Sequence, residues 1–93
     1  MSTVRKLNES ALRGIYDAYM HEAFPPAELK PLAVMLRLME RGRYLCYGYY
    51  RNGRLAAYAF FYRHDSRVLL LDYFAVTPEL RGRGVGSAFL AAL

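Results

Sequence analysis

Asn52-Gly53 lies between two runs rich in aromatic and small apolar residues, Tyr44 to Arg51 and Leu55 to Tyr62. Such a pair calls for a type I′ turn, whose two central positions both need positive φ, a conformation asparagine and glycine accept most readily. The two runs therefore predict an antiparallel hairpin in the middle of the chain. A chain of 93 residues has room for one small domain with one core. The remaining elements must then be arranged around that hairpin.

Upstream, the apolar residues follow a different period. Val4 to Leu7 predicts a short first strand, and Asn8 or Ser10 can cap a helix by accepting from a free first-turn amide. Leu12, Ile15, Tyr16, Tyr19 and Ala23 recur at helical spacing. Pro25-Pro26 ends that helix. A second one follows, with Leu29, Leu32, Ala33, Leu36 and Met39 as its apolar stripe. Pro31 fits only its first turn, since a proline further in removes a hydrogen bond and clashes. Gly42 is placed to end it as a left-handed C-cap.

Downstream of the hairpin, His64 to Ser66 predicts a turn and Val68 to Val76 a long strand. Its near-continuous hydrophobicity predicts burial on both faces. Thr77-Pro78 ends it, and Ser87 to Leu93 opens a helix expected to turn Phe89, Leu90 and Leu93 inward. The order is β-α-α-β-β-β-α. The fold class is α/β in the broad α+β sense, a mixed and mainly antiparallel sheet flanked by helices. The last helix stops in an apolar stretch without a cap, which predicts a fragment of a larger domain.

Apolar residues make up 55% of the chain, which excludes a disordered polymer. No apolar run approaches the ~20 residues of a membrane span. Met1 to Lys6 lacks the apolar core of a signal peptide, so the expected setting is cytoplasmic. The single cysteine, Cys46, excludes an internal disulfide framework and a multi-thiolate metal site, and its apolar surroundings predict a core position. His21 and His64 are far apart and lack ligand partners at useful spacing, so no metal is expected and both read as surface residues. The net charge of +5 favours an anionic partner. It is densest at Arg81 and Arg83, with no long block of like charge.

Those arginines sit in the segment that carries chemistry. The apolar strand runs into a loop containing Gly82, Gly84 and Gly86, and the loop opens a helix. Glycines let backbone approach a ligand closely. Free amides at a helix start then point at an anion, aided by the macrodipole, and arginines add charge-assisted bonds. The spacing is neither the G-x-G-x-x-G of dinucleotide sites nor a Walker loop.

Arg81-Gly-Arg-Gly-Val-Gly86 does resemble the (Gln/Arg)-x-x-Gly-x-(Gly/Ala) signature of the GCN5-related N-acetyltransferases, the GNAT family. Tyr73-Phe-Ala-Val76 resembles the strand that precedes that loop, and Thr77 to Leu80 has the usual intervening length. The element order agrees with the family along the whole chain. Phe24 to Pro31 and Leu71 to Val76 also resemble a bacterial branch of the family with no assigned substrate.

The resemblance implies acetyl-coenzyme A as cosubstrate and an amine as acceptor. It implies that the pyrophosphate lies on Arg81, Gly82, Arg83, Gly84, Val85, Gly86 and Ser87. The pantetheine arm would follow Phe74, Ala75 and Val76 like an added strand, with an amide near Val76 polarising the thioester carbonyl. Asp72 is the best acidic candidate for the base that deprotonates the amine. Its alternative role is a structural carboxylate. Leu70 stands where the family often has a glutamate, and Tyr73 reads either as a cleft residue or as a core tyrosine. The fifth strand and the later helix bearing the family's tyrosine acid match nothing in this chain. On this reading residues 1–93 are a partial acetyltransferase domain.

Around this site, Tyr44, Tyr47, Tyr49, Tyr50, Tyr58 and Tyr62 read either as an aromatic acceptor pocket or as cross-strand partners. Glu22 and Glu28 read either as amine ligands or as solvated helix ends. The leading function is an N-acetyltransferase. The alternatives are a non-catalytic coenzyme A-binding or regulatory module of the same fold, and a basic nucleic-acid-binding domain using exposed aromatics. No membrane partner or specific nucleic acid is expected. An unpaired fourth strand predicts a homodimer or strand exchange.

Overall fold

The structure is a computed structural model of residues Met1 to Leu93. In chain order it runs β1 (Ser2–Lys6), α1 (Glu9–Ile15), a π-helical turn (Tyr16–Met20), α2 (His21–Ala23) and α3 (Leu32–Glu40). It continues with β2 (Tyr44–Arg51), β3 (Arg54–Arg63), β4 (Leu69–Val76), a 3₁₀ turn (Pro78–Leu80) and α4 (Val85–Ala92). The strands form one antiparallel sheet in the order β1-β2-β3-β4. Asn52 and Gly53 take φ of 52° and 79°, and β2 pairs with β3 from Arg51 and Arg54 outward.

β1 lies two residues upstream of its predicted start, and Leu7 leaves it to bury itself, donating its amide to the Cys46 carbonyl at 2.8 Å. Asn8 rather than Ser10 caps α1, its Oδ1 accepting from the Ala11 amide at 2.9 Å. Leu12, Ile15 and Tyr16 face inward as expected. The π-helical turn then widens the spiral, so that Met20 rather than Tyr19 is fully buried.

The second predicted helix starts later than its apolar pattern suggests. Pro31 is its N-cap, with ψ of 141°, and Leu29 lies before it. The inward positions are therefore set by a start at Leu32. Met35 is fully buried and Ala33 is exposed, which corrects the predicted stripe. At the other end Gly42 has φ of 70°. Its amide donates to the Met39 carbonyl and that of Arg43 to the Leu38 carbonyl, a Schellman termination.

Each face of the sheet carries its own core. On one face Leu12, Met20 and Met35 from the helices meet Cys46, Tyr58, Phe60 and Tyr73. On the other, Val85 and Phe89 of α4 rest on Tyr49, Ala57 and Ala59. The period of two along β3 separates the large residues Tyr58 and Phe60 from the small Ala57 and Ala59, and the small ones let α4 come close. Phe89 stacks on Tyr49 and Phe74, with ring centroids 5.2 and 5.5 Å apart.

Two burial expectations are corrected. Leu90 and Leu93 are exposed, because α4 starts at Val85 and turns Val85 and Phe89, four residues apart, onto the sheet. Leu90 follows Phe89 by one residue and so points ~100° away. In β4, Leu69, Leu70 and Leu71 are about half exposed, since β4 is an edge strand whose first half no helix covers. Only Tyr73 of this strand is fully buried. Among the strand tyrosines, Tyr44 and Tyr62 pair directly with each other, whereas Tyr47, Tyr49 and Tyr58 face alanine or glycine. No helix is long and apolar enough to cross a membrane.

Candidate functional site

The candidate site grows from the end of β4. Thr77 is buried, and both its amide and its hydroxyl donate to the Ala56 carbonyl, at 2.9 and 3.3 Å. The Ala56 carbonyl faces that way because the β3–β4 register, with Ala57 opposite Val76, carries on to Ala56 opposite Thr77; on the other side of β3 the register with β2 shifts, Tyr49 facing Ala57 while Tyr50 faces Leu55. The start of the loop is thereby fixed to β3.

Beyond the 3₁₀ turn, Gly82 and Gly84 adopt φ of 79° and 73°, backbone that other residues enter at a cost. Gly84 is the N-cap of α4 and contributes no side chain. The first helical bond runs from the Ala88 amide to the Gly84 carbonyl, so the amides of Val85, Gly86 and Ser87 have no acceptor. The Val85 side chain is in the core, and only its backbone faces the loop. A Cβ on Gly86 would lie 3.6 Å from the side chains of both Phe74 and Val76, so the helix start is seated directly on the end of β4. Arg83 is exposed. Arg81 folds back instead, its Nε donating to the Val76 carbonyl at 3.2 Å. The fold thus gathers the residues predicted to bind the cosubstrate, Phe74 to Val76 and Arg81 to Ser87, around one strand end. The outer edge of β4 is unpaired.

Asp72 lies at a second register shift. Phe60 faces Tyr73 but Phe61 faces Leu71, which leaves Asp72 without a partner residue in the ladder. Its carboxylate accepts from the Tyr44 hydroxyl and from Lys30 Nζ, the latter at 2.8 Å from one oxygen and 3.0 Å from the other. Tyr73, next along, is buried. Its hydroxyl donates to the Glu28 carbonyl at 2.6 Å and accepts the Lys30 amide at 2.8 Å. The Tyr16 hydroxyl donates to the Lys30 carbonyl, and Phe24 packs edge-on against Tyr73. These contacts strap the connection between α2 and α3 across the sheet. Sequence reasoning had no signal for Lys30 and Tyr44 as the partners of Asp72, since the three are brought together only by the fold.

Burial raises the pKa of the Tyr44 hydroxyl, and the Asp72 carboxylate raises it further. Burial likewise pushes the Cys46 thiol up to about 12, with Asp72 adding to it. Cys46 is a protonated core residue, as its surroundings predicted. His21 and His64 are exposed, as are Glu22 and Glu28. Glu22 nevertheless lines a cavity of about 200 Å³ on the α1 side of β4, together with Tyr19, Tyr58, Val76, Thr77 and Arg81.

The profile of the acetyltransferase (GNAT) family matches residues 10–93. The chain belongs to the GNAT acetyltransferase family. Its fold is that of other GNAT proteins. The ribosomal-protein-S18-alanine N-acetyltransferase of Escherichia coli is 26% identical with a TM-score of 0.72, the match covering 98% of this chain and 56% of that one. A GNAT-family acetyltransferase of Bacteroides thetaiotaomicron is 18% identical with a TM-score of 0.80, covering 96% of this chain and 52% of that one. An acetyltransferase of Clostridium acetobutylicum, whose crystal structure was determined with acetyl-CoA, is 13% identical with a TM-score of 0.70, covering 98% and 70%. This GNAT chain therefore spans about half the length of the first two. A search of curated protein sequences gives no significant match.

Proposed function

We propose that this GNAT chain holds acetyl-CoA and serves an N-acetyltransferase that moves the acetyl group to a primary amine, residues 1–93 forming part of a longer catalytic domain. The observation that carries the reading is the run of acceptor-free amides at Val85, Gly86 and Ser87, opening a helix beside two positive-φ glycines and Arg83. Such an array suits a pyrophosphate. A cytoplasmic setting, where acetyl-CoA is made and used, fits the same reading.

Each group of residues has its part. The loop amides and Arg83 take the phosphates. The open edge of β4 at Phe74, Ala75 and Val76 offers backbone donors and acceptors to the pantetheine amides. Acetyl-CoA supplies an activated thioester, and a backbone amide near Val76 is placed to stabilise charge on its oxygen. Asp72 is better suited to anchoring than to accepting a proton, because Lys30 and Tyr44 already occupy both of its oxygens. Its role in this proposal is to hold the α2–α3 connection in place.

Calorimetric titration with acetyl-CoA tests the reading. Saturable binding by the parent is expected, lost in Gly84→Glu and Gly86→Glu variants that stay folded. A glutamate at either position puts a like charge where the phosphates sit. Equal binding by parent and variants would overturn the site.

A further inference from the structure

The cavity on the α1 side of β4 combines features that the phosphate loop does not use. Tyr58 is 1% exposed, and its hydroxyl is buried without any hydrogen-bond partner. Tyr58 lines the cavity, between the loop side at Arg81 and the helix side at Glu22 and Tyr19. A buried hydroxyl left unpaired costs about 1–3 kcal/mol, so an orphan beside a cavity is a donor waiting for an acceptor. Burial raises its pKa to about 12 even though Arg81 pulls the other way, so the proton stays on the oxygen.

Two opposite charges share the same walls. Glu22 and Arg81 both line the cavity and form no ion pair with each other. Arg81 spends only its Nε, on the Val76 carbonyl, which leaves its two terminal nitrogens without a protein partner. Val76 lines the cavity too, and it is the residue beside which the thioester is proposed to lie. A ligand in this cavity would sit next to the reacting end of the cosubstrate. Glu22 would draw its ammonium group, and Tyr58 and Arg81 would take an oxygen on the same molecule.

We propose that this cavity is the acceptor subsite, and that it selects a compact amine carrying a carboxylate or carbonyl oxygen close to the amino group, as in an amino acid or the amino terminus of a peptide. The proposal rests on the acetyl-transfer reading above. Tyr58 is its specificity-determining residue: its hydroxyl distinguishes such an amine from one with no oxygen to offer.

Titration of the chain followed by two-dimensional NMR tests it, with glycine, glycylglycine and putrescine as probes and acetyl-CoA in a separate arm. Shifts confined to the cavity residues are expected with glycine or glycylglycine and not with putrescine, and whichever binds tells free amino acid from peptide. Tyr58→Phe should weaken that binding roughly five- to tenfold, the size of one hydrogen bond, with acetyl-CoA binding unchanged. Glu22→Gln, at an exposed position without an ion pair, should weaken it as well. Putrescine binding as tightly as glycine, or a Tyr58→Phe chain binding like the parent, would overturn the proposal. So would acetyl-CoA binding with no glycine or glycylglycine binding, which leaves the acetyl-transfer reading standing. Glycine or glycylglycine binding without acetyl-CoA would uphold the amine site and remove the acetyl-transfer reading.

Discussion

The Tyr44 hydroxyl donates a 2.5 Å hydrogen bond to Asp72, which lies two strands away on β4. The bond passes over β3, where Phe60 packs edge-on against the Tyr44 and Tyr73 rings. It ties the centre of the sheet to the edge strand that carries the candidate site. Because its acceptor is charged and half-buried, it is stronger than an ordinary surface contact.

Tyr44→Phe keeps the ring packing and removes only this bond. The expected cost is ~1.5–3 kcal/mol, the range for a hydrogen bond to a charged group. Lys30→Met should cost less, about 0–1 kcal/mol, because Lys30 is partly exposed. Urea denaturation followed by circular dichroism checks both, and equal losses would show that the ion pair and the hydroxyl contribute alike.

Stability should fall at alkaline pH. Cys46 rises from 9.0 to about 12 and Tyr58 from 10.0 to about 12, and Tyr44 is raised as well. The folded state holds these protons more tightly than the unfolded chain. The stability they contribute is complete below pH 9 and is lost as pH climbs from there towards 12. Thermal unfolding across that window should show a falling Tm, and Cys46→Ala should flatten its earliest part. A Tm independent of pH between 9 and 12 would contradict the burial of these three groups.

The glycines of the loop should differ in what they tolerate. Gly84→Ala puts a side chain on a residue with φ of 73° and should cost ~1–2 kcal/mol. Gly86→Ala puts a Cβ at ordinary contact distance from Phe74 and Val76, inside a helix, and should be neutral or stabilising by up to ~1 kcal/mol. Denaturation midpoints of the two variants, compared directly, check the sign of each.

Exposed Leu69, Leu70 and Leu71 on an edge strand should make the chain self-associate. Light scattering over a concentration series should show a mass rising above that of one chain, and Leu70→Lys should shift the rise to higher concentration. A mass constant over the series would remove this expectation.

Local signals were legible wherever the physics is local. Asn52-Gly53 specified the hairpin because positive φ at both positions leaves few other turns. Gly42 ended α3 and Asn8 began α1 for equally local reasons, a left-handed residue and a short oxygen acceptor. The glycine spacing after β4 marked the family, because the positive φ of Gly82 and Gly84 admits few other residues.

What the sequence could not decide was set by placement. Leu69 to Leu71 read as a buried run, yet the edge position of β4 leaves them in solvent. Leu90 and Ala33 carried the right polarity, but the first residue of each helix sets its phase and turns both outward. The two register shifts, at Ala56 and Asp72, have no signature along the chain. They arise where one strand must accommodate an extra residue against its neighbour. The second falls at Asp72, the residue whose carboxylate meets Tyr44 and Lys30. Tyr58 is one more alternating strand residue in the sequence. Only the packing of helix, sheet and loop closes a cavity against it and leaves its hydroxyl without a partner.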